Sequence, residues 1–392
     1  MSESTYFAFA LAMVTACSGS PSLFSPSCTD AAVAVPSMSP VCTAFTRDSL
    51  FDSYVAAGSG AGVAGVTGTG ASDVNVAFSN GLQGKIARWD GSVWTTETLP
   101  EDPFSVAAIT TDASGDPWAV ITERGVSRSG VGGASAIIHR RNGVWIPEPK
   151  PHSRELGTIG GTSSGLFLNV PFPATAADSL WAWQNSSWQK SPVLSAPADG
   201  AKPPFLGAYG FWGAGCGEAL AFGGGATTDT IFASLFRLHG GKWVSVPLPA
   251  LTEIVAVTGP SLDDLYVLAW NRNQDGTSRL FHVTNDLQTW TPLPTPATVD
   301  YAAIWSSGPS IAVAFGCEWP DKTVARSADC LRLTVFSGDT VATAPLPSVE
   351  GAPLALWREP QAGSLHLFTY LADANGGFRA QHYLAPPECP SK

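Results

Sequence analysis

The chain has 392 residues and a formal net charge of −11, with only 14% charged residues against 40 Gly, 31 Pro and 14 Trp. The acidity, and 21 Lys and Arg spread without a run, argue against nucleic-acid binding, because phosphate contacts need a basic face. The composition also argues against long helices and suits many short strands joined by tight turns.

The chain begins with an apolar run, Tyr6 to Ala16, of signal-peptide length and too short to span a bilayer. The run ends in Val14-Thr15-Ala16-Cys17, which resembles the lipobox of bacterial lipoproteins. That resemblance implies cleavage before Cys17, acylation of its sulfur and anchoring at the cell envelope, as an outer-membrane or cell-surface lipoprotein. The segment departs from the usual pattern in carrying Glu3 and no Lys or Arg ahead of the apolar run. A Ser-, Pro- and Ala-rich stretch follows and reads as a tether. The expected division is a signal peptide over 1–16, a tether over 17–42 and one folded domain over 43–392.

With Cys17 lipidated, six cysteines remain, an even number that suits an oxidising compartment. Six allow 15 connectivities. Cys317 and Cys330 flank a strand-to-strand excursion inside one repeat and are the expected disulfide. Cys42 and Cys389 sit at the two ends of the folded region and could latch it, which would leave Cys28 and Cys216.

From residue 60 onward the chain repeats. "KIARWDGSVWTTETLP" at Lys85, "LFRLHGGKWVSVPLP" at Leu235 and "LFHVTNDLQTWTPLP" at Leu280 are one hairpin written three times. Aligned on Trp94, Trp145, Trp188, Trp243, Trp290 and then Val341, the units are 51, 43, 55, 47 and 51 residues apart. Each opens on a small-residue strand such as "VAGV", "VAAI" or "YAAI", followed by a turn, an alternating strand and the hairpin. This period marks four-stranded propeller blades, with Gly and Ala where blades crowd at the axis and Trp filling the wider rim. Seven units fit between Val63 and Lys392, so a seven-bladed all-β propeller of four-stranded antiparallel blades is expected, with six or eight blades as alternatives. The seventh unit lacks an outer strand, which part of 41–55 should supply, closing the ring and removing exposed edges.

"FGGG" (222–225), a loop and then "LFRLHGGKWVSVPLP" resemble a kelch-type repeat, and "DGSVW" at Asp90 is similar to repeats of bacterial surface propeller lipoproteins. The resemblance covers residues 60 to 390 and implies a fold, which hosts both oxidases and pure binding scaffolds.

Several short motifs resemble known sites of chemistry. Gly161-Thr162-Ser163-Ser164-Gly165 spells G-x-S-x-G, and Gly60 to Gly65 spells G-x-G-x-x-G. Neither precedes an expected helix, so both are read as blade turns and strands. "TNDLQTW" and "DGSVW" resemble the Asp boxes of sialidases, which in that family are structural turns. Asn271, Asn273 and Asp275 alternate before Gly276 like half of a calcium loop, which makes calcium the one cofactor suggested; Asn-rich turns also occur without metal. Glu155, Glu253 and Asp300 stand just before innermost strands, where equivalent positions approach one another around the axis. They are expected to form an acidic funnel suited to a cation or cationic ligand, the alternative being solvated loop carboxylates.

The functional expectation is a lipid-anchored, extracytoplasmic binding scaffold rather than an enzyme. Its partner would be an envelope protein, a glycan or a cationic ligand, and contact with the membrane would run only through the lipid. The alternatives are a glycan-active enzyme using axial carboxylates and an envelope assembly factor recognising partners through Trp212, Trp305 and Trp357.

Overall fold

The computed structural model describes residues 45–56, 62–79, 83–100, 103, 105–122, 135–151, 156–162, 164–170, 180–191, 193–194, 207–215, 218–226, 231–270, 278–296, 298–308, 311–318, 330–337, 340–346, 349–358, 364–372 and 378–385. A two-residue strand β1 (Thr46–Arg47) and a short helix α1 (Ser49–Ala56) come first. Blade 1 is β2 (Gly62–Gly70), β3 (Asp73–Ser79), β4 (Gly84–Trp89) and β5 (Trp94–Thr96). Blade 2 is β6 (Ser105–Thr111), β7 (Pro117–Thr122), β8 (Ser135–Arg141) and β9 (Val144–Glu148). Blade 3 is β10 (Ile159–Thr162), β11 (Gly165–Asn169), β12 (Leu180–Gln184) and β13 (Ser187–Lys190). An extra strand β14 (Val193–Leu194) precedes blade 4, which is β15 (Gly207–Gly215), β16 (Glu218–Ala226), β17 (Ile231–His239) and β18 (Lys242–Ser245). Blade 5 is β19 (Glu253–Ser261), β20 (Asp264–Trp270), β21 (Ser278–Thr284) and β22 (Thr289–Pro292). Blade 6 is β23 (Val299–Gly308), β24 (Ile311–Glu318), β25 (Leu331–Ser337) and β26 (Thr340–Pro345). Blade 7 contributes β27 (Ala352–Arg358), β28 (Leu365–Ala372) and β29 (Phe378–Ala385).

Each blade is an antiparallel meander, and the innermost strands meet in chain order from β2 to β27, which returns to β2. The seventh blade borrows its outer strand from the N-terminal side: β1 pairs with β29 through Thr46↔Leu384 and Arg47↔Tyr383. The expected seven-bladed ring, closed by an N-terminal strand, is therefore the observed fold. Blade 4 departs from the pattern, because β14 lies parallel to β18 and widens that sheet to five strands.

The residue types explain the layers. Trp94, Trp145, Trp188 and Trp243 sit on outer strands and are buried, Trp94 against Phe51 of helix α1 and Trp243 against Phe167 of β11. At the axis space runs out. A Cβ on Gly161 of β10 would run into the Thr111 carbonyl oxygen of the neighbouring blade. The innermost strands also share a distortion. A bulge follows the second residue at Val63/Gly65, Val106/Ala108, Ala208/Gly210, Ile254/Ala256 and Pro353/Ala355, and the third at Tyr301/Ala303. A bulge bends a strand and re-aims its side chains, so six blades enter the axis with the same turn of the backbone.

Candidate functional site

The two faces of the disc differ in how they are built. On one face, turns join the first strand of a blade to the second and hairpins join the third to the fourth. These are two to six residues long. On the other face, the links from second to third strand span 80–83, 123–134, 170–179, 227–230, 271–277, 319–330 and 373–377. The connections between blades emerge on that face too, including 195–206. Variable loops on a rigid frame are where binding and catalytic residues concentrate.

In blade 6 the base of the long link is cross-linked. The Cys317–Cys330 disulfide closes its base, with Cα atoms 4.7 Å apart. The Glu318 amide donates to the Cys330 carbonyl at 2.7 Å directly beneath it. Arg332 forms an ion pair with Glu318 at the same rim. Asp300 lies opposite Cys317 in the β23–β24 ladder. Glu253 opens β19 opposite Trp270. The shared bulge makes Glu253 and Asp300 equivalent positions in adjacent blades, on the long-link face; blades 1, 2, 4 and 7 carry Gly62, Ser105, Gly207 and Ala352 there. Glu155 lies outside the described residues, as do Cys17, Cys28, Cys42, Cys216 and Cys389, and Asn271, Asn273 and Asp275.

Other expectations resolve into structure. Trp212, Trp305 and Trp357 do not follow the innermost strands but lie within β15, β23 and β27, where all three are buried. They fill the gaps between blades and offer no docking surface. Thr162 ends β10 and Gly165 opens β11, so the G-x-S-x-G match is a strand-to-strand turn. Asp90 is likewise a turn residue: its Oδ1 accepts from the Ser92 amide at 2.8 Å and the Val93 amide at 2.9 Å. In the matching hairpin of blade 5, Asn285, Asp286 and Leu287 all take positive φ, between 53° and 68°. Asn and Asp adopt that region most readily.

The short-turn face holds an order that the sequence did not disclose. Among the described residues, an acid at or just before the start of the second strand stands against a base on the third strand in four blades. Asp73 meets Arg88 at 3.0 Å, Asp116 meets His139 at 3.8 Å, Glu218 meets Arg237 at 2.6 Å and Asp264 meets His282 at 2.7 Å. Two of these bases stack on the cross-strand aromatic, His139 on Trp118 and His282 on Tyr266, with centroids 3.9 and 4.7 Å apart. Arg237 also reaches Asp286 of the next blade at 2.7 Å. Burial, with the Asp264 charge beside it, pushes the Tyr266 phenol well above its usual range. The hydrogen-bonded pairs of blades 1, 4 and 5 register turn against hairpin, and their regularity is that of a scaffold; in blade 2 the two groups stand apart.

Two clefts recur on the long-link face. One, of about 360 Å³, lies where Lys85 of β4 faces Leu99 and Pro100 beyond β5. The other, of about 300 Å³, lies where Arg279 of β21 faces Leu293 and Pro296 beyond β22. Both are the gap left where Leu-Pro ends an outer strand, because Pro cannot extend the ladder. The repeated Leu-Pro thus shapes the surface as well as ending the blade.

Comparison with known proteins supports the fold alone. No protein-family model matches the sequence, and no curated protein matches it. Among solved structures, the chain is similar to YCF48 bound to D1 peptide, with 11% identity over 84% of this chain and 93% of that one, and a TM-score of 0.53. It is also similar to the GH74 xyloglucanase from Xanthomonas campestris, with 16% identity over 82% of this chain, 54% of that one, and a TM-score of 0.56. The RRP9 WD40 repeats match at 11% identity over 83% and 94%, with a TM-score of 0.52. The class is a seven-bladed β-propeller, an architecture consistent with a binding scaffold.

Proposed function

We propose that this chain is an extracytoplasmic, kelch-like propeller of the lipoprotein type, tethered through Cys17, that binds a segment of an envelope protein on its long-link face. The observation that carries the reading is the asymmetry of the disc: every second-to-third link opens on one face, and a disulfide clamps one of the longest at its base. Clamping a loop lowers the ordering cost of binding. A Cys317–Cys330 disulfide also suits an oxidising compartment. A similar propeller is known with a peptide bound. Glu253 and Asp300 on the same face favour a segment carrying Lys or Arg.

The test has two arms in cells. Cys17→Ser should move the protein from the membrane fraction to the soluble one; unchanged fractionation removes the anchor from the proposal. A photo-crosslinking residue placed within 320–328 should capture a partner, and one at Asn142 on the short-turn face should not. Equal capture from the two faces, or none from the first, rejects the binding face.

A further inference from the structure

Blade 2 holds an arrangement that scaffolding does not explain. Its inner turn reads Asp112-Ala113-Ser114-Gly115-Asp116, and His139 of β8 lies beside it. Asp112, Asp116 and His139 each present one ligand atom, and these atoms lie within 4.8 Å of one another. The His139 side chain is 5% exposed, yet its buried Nε2 has no hydrogen-bond partner. Asp116 Oδ2 stands 3.8 Å from it, too far for a hydrogen bond. Two ligands each about 2.1 Å from one ion are roughly 3 to 4 Å apart, so this gap has the width of a shared metal.

We propose that Asp112, Asp116 and His139 bind a divalent transition-metal ion of the zinc class. One imidazole and two carboxylates leave at least one position for water and suit such an ion better than calcium, which takes oxygen ligands.

The surroundings prepare the site. Asp112 Oδ1 accepts from the Ser114 amide at 2.9 Å, the Ser114 hydroxyl at 2.7 Å and the Asp116 amide at 3.1 Å. Its Oδ2 accepts from Trp118 Nε1 at 2.9 Å and keeps a second lone pair. The Trp118 ring stacks on His139 and fixes its plane, 13° from parallel. On the far side of the imidazole, Nδ1 lies 3.3 Å from Glu148 Oε1 and 2.9 Å from Arg141 Nε. Arg141 donating places the ring proton on Nε2, where it meets no acceptor. Glu148 accepting places it on Nδ1 and frees the Nε2 lone pair, the carboxylate–histidine–metal relay that orients metal-bound imidazoles. Glu148 remains paired with Arg141 Nη2 at 3.0 Å in either case. Asp116, half exposed, is the ligand able to swing inward.

The test is calorimetric titration of the chelator-stripped full chain with zinc alone, followed by cobalt for its visible absorption. The native chain should take up one zinc ion at this site with a rise in Tm. Asp116→Asn and His139→Gln should each weaken that binding at least tenfold and remove the cobalt bands. Asp116→Asn changes only a half-exposed carboxylate, so it separates loss of a ligand from loss of the fold. No zinc uptake by the native chain, or native-like affinity in either variant, overturns the proposal.

Discussion

His382 donates its Nδ1 proton to Asp48 Oδ2 across 2.9 Å, joining residues 334 positions apart in the chain. The contact lies where the ring closes. Asp48 follows the closing strand β1 and caps helix α1, its Oδ1 accepting from the Leu50 and Phe51 amides at 3.0 and 3.2 Å. Trp94 Nε1 of blade 1 donates to the same carboxylate at 2.8 Å. Nε2 of His382 accepts from His366 Nδ1 at 3.0 Å. One carboxylate thereby ties blade 7, blade 1 and the N-terminal segment together.

This latch predicts acid sensitivity. Burial pushes the His382 imidazole down to about 4, with nearby His366 adding to the shift and Asp48 and Asp52 opposing it. Burial alone would raise the Asp48 carboxyl, but hydrogen bonds from His382 and Trp94 outweigh it and hold the group at about 2. Both folded values lie below the unfolded ones, so the unfolded chain takes up protons first. Stability should be full above about pH 6.5 and fall as His382 titrates towards pH 4, then further as Asp48 protonates. Between pH 7.5 and 5 the loss should be about 2 kcal/mol from His382. Guanidinium unfolding at the two pH values measures it. A flat profile, or an equal slope in His382→Gln, would mean that this imidazole keeps an ordinary proton affinity.

Removing an outer tryptophan should be costly where it is fully enclosed. Trp243 is 0% exposed, donates Nε1 to Ser191 Oγ at 2.9 Å and packs edge-on to Phe167, with centroids 5.2 Å apart. Trp243→Ala should lose roughly 3–5 kcal/mol. Trp290 of the same repeat position is only partly buried, so Trp290→Ala should lose less. Equal losses in the two unfolding curves would contradict a packing role graded by burial.

The repeat made much of this fold legible. Trp at a regular spacing, small residues in the first strand and Leu-Pro at the last fixed the blades and the missing seventh strand, because each is a local consequence of where a strand sits in the wedge. The sequence could not show the latch or the acid–base pairs. Asp48 and His382 lie far apart in the chain, and the pairing of Asp73 with Arg88 depends on the β3–β4 register, which sets Asn75 opposite Arg88. Trp212, Trp305 and Trp357 misled for a related reason: placed one element too late, buried side chains looked like a surface. In blade 2, nothing in the sequence joins His139 of β8 to Asp112 and Asp116, which come from the turn between β6 and β7 and meet it only in the folded sheet.

The disulfide should matter to one blade more than to the ring. Cys317 and Cys330 close a loop of 13 residues in sequence separation, for which chain entropy gives about 3 kcal/mol. Cys317→Ser with Cys330→Ser should lower stability by up to that amount and speed amide exchange at Asp300 and Leu331, which flank the bridge. Unaltered exchange at both would show that the β24–β25 ladder holds the loop base unaided.

Close approach at the axis makes the sharpest contrast between two glycines. Gly161 donates its amide to Thr110 Oγ1 at 2.7 Å, and a Cβ there would collide with the Thr111 carbonyl. That carbonyl belongs to the next blade's backbone, so relief would need two innermost strands to part. Gly70, at the end of β2, has nothing within 4 Å of an added Cβ. Gly161→Ala should therefore cost at least several kcal/mol, as overpacking against backbone does. Gly70→Ala should stay within about 1 kcal/mol of the native chain, its lost freedom in the unfolded state even favouring the fold. Thermal unfolding of the two variants side by side decides it, and comparable Tm values would mean that the blades stand further apart at the axis than this packing requires.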